Sequence, residues 1–565
     1  MYINEELRKK VITLKIKSST ISFSSEAYYD DFNRALDGRA LGKIYVIPAE
    51  PGSGKSRGLQ QYLRKYRDGG FKPADTGVLI VVTRLAEMKN YIGGAGLVGD
   101  EFAVMTADTP VASAFEFGGS INADRAPILF VTAQMIQSRC RGRFADASEF
   151  YYKGKPRRLR VWDEDFFVAD AVIISGDDFG ELMRPLRGSF DTLANEIEHL
   201  EDRLRRMPPG SEVVVPQSIS AAASAALMKL VGLSDSQKRV LEALRCVAGQ
   251  TCRVSVVSYG VPAIVGQRSR LPDDIAPLFV LDASARVSET YPIMMRAGVP
   301  IELMPYAPLS YSSATFYHLR RGAGRTAIAN PAVRASLIAE AAAVINAAPG
   351  DDHLVVYNRV NGVDLPKELK LACKGAGGVE FLYWGDHRAK NDYRHIRRVV
   401  CVGLLRFPEA GYDAQHLKSG GGLANRLTDV TALRDSELCS VMLQAFARSN
   451  MRNHGDLECG NCEIYIIDNE RRLPSLLGRA FPGSAVQEWK PLNSKLAPRQ
   501  SEILDHLLSI TAGDLSKGIN KSSVYNRLGI EKSNFSKLIN DERFRTAAAK
   551  QGIIIEPRRF VRHSS

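Results

Sequence analysis

Short unbroken apolar runs alternate with amphipathic stretches along most of this chain. Ile44-Tyr45-Val46-Ile47, Val78-Leu79-Ile80-Val81-Val82, Ile128-Leu129-Phe130-Val131 and Leu278-Phe279-Val280-Leu281 are apolar or aromatic at every position. A strand needs that pattern when helices cover both faces of its sheet, as in a parallel α/β sheet. Between the first two runs, Leu59, Tyr62 and Leu63 form one helical stripe, which Gly69-Gly70 ends. Over about 185–250 the alternation lapses. Phe190, Leu193, Ile197, Leu200 and Leu204 recur at helical spacing, Pro208-Pro209-Gly210 stops that helix, and a second run follows through Met228, Leu241, Leu244 and Val247. This predicts a helical insertion, read as an antiparallel pair. The sheet is expected to resume with Val254-Ser255-Val256-Val257 and then with the run at 278–281. A second alternating block follows, with an Ala-rich helix near 333–345 and strands at 353–357, 381–384, 399–403 and 464–467.

Pro491 to Pro498 reads as a linker, and the pattern beyond it is different. A helix at about 500–510 leads to 522–528, the turn Gly529-Ile530, and a polar-faced helix at 532–539, which is the helix-turn-helix pattern. Val524, Leu528, Ile530, Phe535 and Leu538 would form its core; Ser533, Asn534, Ser536 and Lys537 would face bases or phosphates. Ile553-Ile554-Ile555 and Arg558-Arg559-Phe560 would make a basic wing. The expected organisation is a lead-in over 1–40, an α/β domain over 41–295, a second over 296–488, and a small, mainly α, helix-turn-helix or winged-helix-like domain over 498–565.

Composition narrows the function classes. At 565 residues the chain is too long for one core. A net charge of +12 favours a polyanionic partner, and so a nucleic acid. Residues 1–17 are polar and charged, and no stretch approaches the roughly 20 apolar residues of a membrane span. Eight scattered Cys suit a reducing compartment, so a cytoplasmic protein is expected, without membrane contact. Cys459-Gly460-Asn461-Cys462 has the spacing of half a zinc site, with only His454 near it, and reads as a turn before a strand.

Chemistry concentrates at strand ends. Ala49-Glu50-Pro51-Gly52-Ser53-Gly54-Lys55-Ser56 follows the first apolar run and opens a helix. Gly52 and Gly54 let backbone N–H groups of the loop turn onto a phosphate, and the helix adds its positive end. Lys55 would reach the β- and γ-phosphates of ATP and Ser56 would ligate Mg²⁺. Leu159-Arg160-Val161-Trp162 delivers Asp163 and Glu164 at its end. Asp163 would hold Mg²⁺, and Glu164 would orient and deprotonate the attacking water. Thr83, Arg84, Thr132 and Gln134 also follow strands, where they can cap helices or touch a ligand crossing the sheet edge. In the second block, Gly385 to Asp392 is a polar, basic loop that again follows a strand. Gln444 and Arg448, four apart on an expected helix, would address the triphosphate from the other side.

Together these residues resemble superfamily 2 helicases of the DEAD/DEAH-like type, over about residues 40–480. Ala49 to Ser56 is similar to their motif I, where Ala at the first position is common. Thr83-Arg84 resembles motif Ia, Val131-Thr132-Ala133-Gln134 a later strand-binding motif, and Leu281-Asp282-Ala283-Ser284-Ala285 motif III. Asp163-Glu164-Asp165-Phe166 resembles motif II with a different last pair. Gly385 to Asn391 loosely resembles motif V, and with it Arg388 and Asn391 as nucleic-acid contacts. Gln444 to Arg452 resembles motif VI, with Ala447 for the usual Gly and Arg452 one residue beyond the usual second Arg. The resemblance implies two tandem RecA-like parallel-sheet domains, ATP and Mg²⁺ between them, and a nucleic-acid strand, DNA favoured over RNA. Catalytic residues would be Lys55, Asp163, Glu164, Gln444, Arg448 and Arg452; Ala49, Pro51, Gly52, Ser53, Gly54 and Ser56 would cradle the nucleotide. The helical insertion is similar to that of the DNA-repair branch. The Cys cluster of its iron–sulfur members is absent, with only Cys140 between motifs I and II. Three other classes stay open: a phage-type packaging ATPase, an ATP-switched DNA-binding regulator, and a remodelling translocase that separates no duplex.

Overall fold

The computed structural model describes residues 28–48, 50–69, 75–106, 110–140, 142–306, 308–373, 377–385, 393–453, 455, 457–489, 496–510 and 518–562. Ala49, Arg388, Asn391, His454, most of the lead-in over 1–40 and most of the expected linker lie outside the described residues.

In chain order the first domain lays down β1 (Ile44–Ile47), β2 (Val78–Val82), β3 (Gly99–Met105), β4 (Gly119–Ser120), β5 (Ile128–Thr132) and β6 (Leu159–Asp163). An inserted block supplies β7 (Ala169–Ser175), β8 (Glu212–Val214), β9 (Thr251–Val256) and β10 (Pro262–Arg270); β11 (Leu278–Leu281) and β12 (Ile301–Leu303) complete the domain. The eight-stranded sheet has the order β12-β1-β11-β6-β2-β5-β3-β4 and is parallel throughout. Every residue of β1, β2, β6 and β11 is buried, because helices cover both faces. Each such Val, Ile or Leu contributes about 1.5–3 kcal/mol. Register then does the functional work. Ile47 pairs with Leu281, and Leu281 pairs with Asp163, so three strands end in one row. Below that row, the buried Arg157 donates to the carbonyls of Phe150, Val78, Pro127, Ala123, Ala126 and Tyr151, which ties the entry to β6 to its neighbours.

The inserted block differs from expectation. Its helices, Gly176–Leu186, Asp191–Arg206, Ser218–Lys229 and Asp235–Val247, do cover the expected region. They pack, however, on a four-stranded antiparallel sheet of order β8-β9-β10-β7. The stretch at 254–257 therefore does not resume the parallel sheet; 254–256 belong to β9. Arg253 and Ser255 alternate with Cys252, Val254 and Val256, the period of two that suits an antiparallel strand. Cys252 and Val254 face the block's own helices, while Arg253 and Ser255 are covered by the helix Glu409–Lys418 of the second domain.

The second domain contributes β13 (Ala314–Arg320), β14 (His353–Tyr357), β15 (Val379–Tyr383), β16 (Arg398–Val402), β17 (Cys462–Asp468) and β18 (Ala485–Glu488). They form a six-stranded parallel sheet of order β15-β14-β16-β17-β13-β18. The two flanked parallel sheets are two tandem RecA-like α/β domains. At the C-terminal end, the helices Pro498–Ser509, Lys521–Arg527, Lys532–Asn540 and Glu542–Lys550 pack with β19 (Ile519–Asn520), β20 (Ile553–Ile555) and β21 (Arg559–Arg562). Val524, Ile530 and Phe535 are in that core, with Leu528 and Leu538 against it. No helix among the described residues is long and apolar enough to cross a membrane.

Candidate active site

The phosphate-loop stretch leaves β1 at Ile47 and enters the helix Lys55–Arg67 through two left-handed glycines, Gly52 at φ 87° and Gly54 at φ 89°. A side chain at either would cost about 1–2 kcal/mol in backbone strain. Ser53 N–H closes the turn on Glu50 O at 3.1 Å, and Lys55 Nζ reaches the same carbonyl at 3.5 Å. Burial pushes the Lys55 ammonium down, while Glu164, Asp163, Asp282 and Glu50 pull it up. Pro51 is half-buried and Ser56 exposed. The Ser53 hydroxyl oxygen is buried and has no hydrogen-bond partner among the described residues. A buried, unpaired polar atom in a loop of this shape fits an absent phosphate oxygen.

Beside the loop, β6 ends at Asp163, and the next two residues are left-handed, Glu164 at φ 55° and Asp165 at φ 45°. Neither is a glycine, so the turn stores strain of order 1–2 kcal/mol per residue. Glu164 N–H donates to Leu281 O at 3.0 Å, which pins the turn against β11. The Tyr91 hydroxyl donates to Asp163 Oδ2 at 2.7 Å and is also hydrogen-bonded to Ser56. Burial, then the Glu164 charge, raises the Asp163 carboxyl; burial raises Glu164 too, against the pull of Lys55. Two crowded, desolvated carboxyls beside a hydroxyl suit a divalent cation, which would relieve both. Asp282 is finished differently: it accepts from Tyr291 Oη at 2.6 Å and from Ser284 N and Oγ, each at 2.7 Å.

The second domain brings Gln444, Arg448 and Arg452, but not on one helix. The helix Arg426–Phe446 stops two residues before Arg448, and Arg452 sits in the 3₁₀ turn Asn450–Arg452. Ser449 is the cause. Its hydroxyl donates back to Phe446 O at 2.6 Å and accepts from Met451 N at 3.4 Å, a local pairing that competes with the helix. Asn450 N–H then bonds to Ile396 O, away from the helix axis. The expected shared face of Gln444 and Arg448 is therefore replaced by a turn. That turn brings both arginines into the electrostatic field of Glu164. Burial lowers the Arg452 pKa and Glu164 raises it. Gln444 is buried, and its Oε1 lacks a partner among the described residues.

The other expected contacts are scattered. Arg84 N–H and Thr83 Oγ1 engage Glu87 Oε2 at 3.2 and 3.4 Å, capping the helix Leu85–Ala95. Thr132 Oγ1 accepts from Met135 N at 3.2 Å and caps Ala133–Arg139, leaving Gln134 exposed in its first turn. Ser533, Asn534 and Lys537 are exposed on the helix Lys532–Asn540, well outside the cleft in sequence and in fold. Cys459 and Cys462 are buried free thiols, and among the described residues no group of three or more His, Cys, Asp or Glu is arranged to hold a metal ion. Sequence reasoning missed Tyr91, which lies in no motif, and Arg286, although it directly follows Ala285.

No protein-family model matches the chain, and neither does any curated protein. Among solved structures it is similar to XPD in an apo form, with a TM-score of 0.49 and 13% identity over 82% of this chain and 99% of that one. Xpd4 of S. tokodaii gives 0.46 and 12%, again over 82% and 99%. The DEAD-box helicase Mss116, bound to ssRNA and UDP-BeF, gives 0.31 and 12% over 96% and 92%.

Proposed function

We propose that this protein is an ATP-dependent helicase or translocase that moves on nucleic acid, DNA by preference, in the cytoplasm. One observation carries the reading. Lys55, Asp163 and Glu164 from the first domain and Arg448 and Arg452 from the second share one electrostatic neighbourhood centred on Glu164. That convergence crowds two carboxylates whose burial is unfavourable, a cost that a cation and a triphosphate between the domains would offset. Phosphoryl transfer needs the convergence.

In this reading the backbone of 51–54 cradles the phosphates, and Lys55 neutralises their charge. Ser56 and Asp163 would hold Mg²⁺, which supplies charge neutralisation on the triphosphate when bound. Glu164 takes the proton of the attacking water. The upward push on its carboxyl, held in check by Lys55 and the arginine, makes it a stronger base than a free glutamate. Arg448, Arg452 and Gln444 stabilise the charge that builds during transfer. Their arrival depends on the second domain, so turnover is sensitive to a strand lying across both sheets. Thr83, Arg84, Thr132 and Gln134 would line the strand path on the first domain. The net charge and the exposed Ser533, Asn534 and Lys537 face favour DNA. The test is ATPase activity titrated with single- and double-stranded DNA and RNA, then strand displacement with the best activator. Stimulation by DNA above RNA is expected; turnover indifferent to every nucleic acid would sink the proposal.

A further inference from the structure

Glu50 is an acid in a loop otherwise suited to anions. Its side chain is 3% exposed, and both carboxylate oxygens are bonded. Arg286 Nε donates to Oε1 at 2.7 Å, and the Tyr311 hydroxyl donates to Oε2 at 3.0 Å. Tyr311 belongs to the second domain: it is packed in that domain's core, with its ring edge-on to Phe481 at 5.2 Å. Arg286 belongs to the first domain, but its other two nitrogens cross the gap. They donate to Arg479 O and Ala480 O, each at 2.8 Å, where the helix Leu473–Ala480 of the second domain ends. Arg479 returns a bond to Val287 O. The last carbonyls of a helix carry partial negative charge, so they hold a guanidinium well. Burial lowers the Arg286 pKa, but Glu50 raises it further, and the net is upward.

The phosphate loop thus carries a side chain whose partners are supplied or braced by the other domain. The Glu50 carbonyl, on the same residue, receives Ser53 N–H and Lys55 Nζ. Glu50 therefore joins the loop's internal turn to the domain opposite.

We infer that Glu50 is a positioning residue through which the second domain sets the phosphate loop. The Glu50–Arg286–Tyr311 clasp holds the loop in its phosphate-binding shape only while that domain is docked. Separation of the domains then weakens nucleotide binding without any change in the residues that touch phosphate. This rests on the reading of the cleft as an ATPase site.

The experiment uses the full chain and two near-isosteric variants, Tyr311→Phe and Glu50→Gln, with their double. A fluorescent ADP analogue gives the nucleotide Kd without turnover, and ATPase assays give KM and kcat. Each single variant is expected to weaken analogue binding and raise KM about tenfold; each also leaves a buried group short of a partner, so the thermal transition falls modestly as well. The double variant is expected to lose less than the two singles multiplied together, because both act through the same Glu50 carboxylate. A merely structural role lowers the thermal transition and leaves Kd in place, which overturns the inference. So does a Glu50→Gln variant that binds the analogue more tightly, since Glu50 would then act only by repelling phosphate. If the parent protein binds the analogue but ignores nucleic acid, the helicase reading fails while the Kd shift still judges the clasp. If it binds no analogue, both fail.

Discussion

The two domains meet at two places, and the two meetings are finished to different degrees. Away from the cleft, the helix Glu409–Lys418 lies on the sheet of the inserted block. Asp413 accepts there from Arg253 at 3.1 Å, from Ser255 at 2.7 Å, and from Arg426 through both oxygens at 2.7 and 2.6 Å. His416 is fully buried between Arg253 NH1 at 3.1 Å and Asp429 Oδ2 at 2.9 Å, and Asp429 also takes Arg296 at 2.8 Å. Apart from Arg253 Nε, the charged groups of this seam are paired, with Ala263, Val265, Ala410 and Ala414 packed beside them. In the cleft, Asp163 and Glu164 crowd each other and two adjacent residues are held left-handed; among the described residues Ser53 and Gln444 keep buried unpaired oxygens there, as Gln415 does on the seam helix. Opposite charges that meet, as Asp413 meets Arg253 and Arg426, fix an arrangement; like charges that crowd, as Asp163 and Glu164 do, suit a cation. Burial differs as well: Asp413 and His416 are fully covered, whereas Lys55, Glu164, Arg448 and Arg452 are half-buried.

The contrast breaks if cleft residues prove structural or seam residues chemical. Lys55→Ala and Glu164→Gln carry the largest expected effect. Nucleic-acid-stimulated ATPase should fall about a thousandfold or more, with the urea unfolding curve unchanged. Asp413→Ala should do the reverse. It strands two buried guanidinium groups, and the first urea transition should lose about 3–5 kcal/mol, while whatever folded protein remains binds nucleotide normally. Arg448→Lys keeps a charge but loses the planar fork, so kcat should fall about a hundredfold with KM little altered in steady-state assays.

The smallest effect sharpens the seam's description. Burial holds the His416 pKa below its ordinary 6.5, against the pull of Asp429. The unfolded chain then takes up a proton near pH 6.5 that the folded chain refuses until lower pH. Stability from this site is complete above about 6.5 and drains away as pH falls through the depressed value. Thermal melts from pH 7.5 to 5 should show that slope. His416→Gln, which can accept from Arg253 and donate to Asp429 but cannot titrate, should flatten it.

The two parallel sheets were legible because strands such as Val78–Val82, covered on both faces, are apolar at every residue. The inserted sheet was not: β9 alternates, with Arg253 and Ser255 between Cys252, Val254 and Val256, and that period of two, which suits an antiparallel strand, was passed over for the valines. The seam was invisible for a stronger reason: Arg253 and Asp413 are partners across 160 residues, and no local pattern records such a pair. At the cleft, the loop and the acidic pair announce their chemistry by residue type and by position after a strand. The arginine segment misleads, because its helical spacing continues past Phe446 while the Ser449 hydroxyl has already ended the helix. Glu50 reads as a spacer between Ala49 and Pro51 until its carboxylate is followed across the gap to Tyr311.

The helix Glu409–Lys418 is second-domain by chain and insertion-bound by packing. Mechanically, that makes the seam a pivot. Once the bonds of Arg286 and Tyr311 across the cleft part, the two bodies remain joined at this edge and keep a single easy motion, rotation about it, with displacement growing with distance from it. A small swing that leaves Asp413 and His416 undisturbed is therefore magnified at Arg448, Arg452 and Glu50. The inserted block would then be no passenger of the first domain: it would set the axis on which the cleft can open.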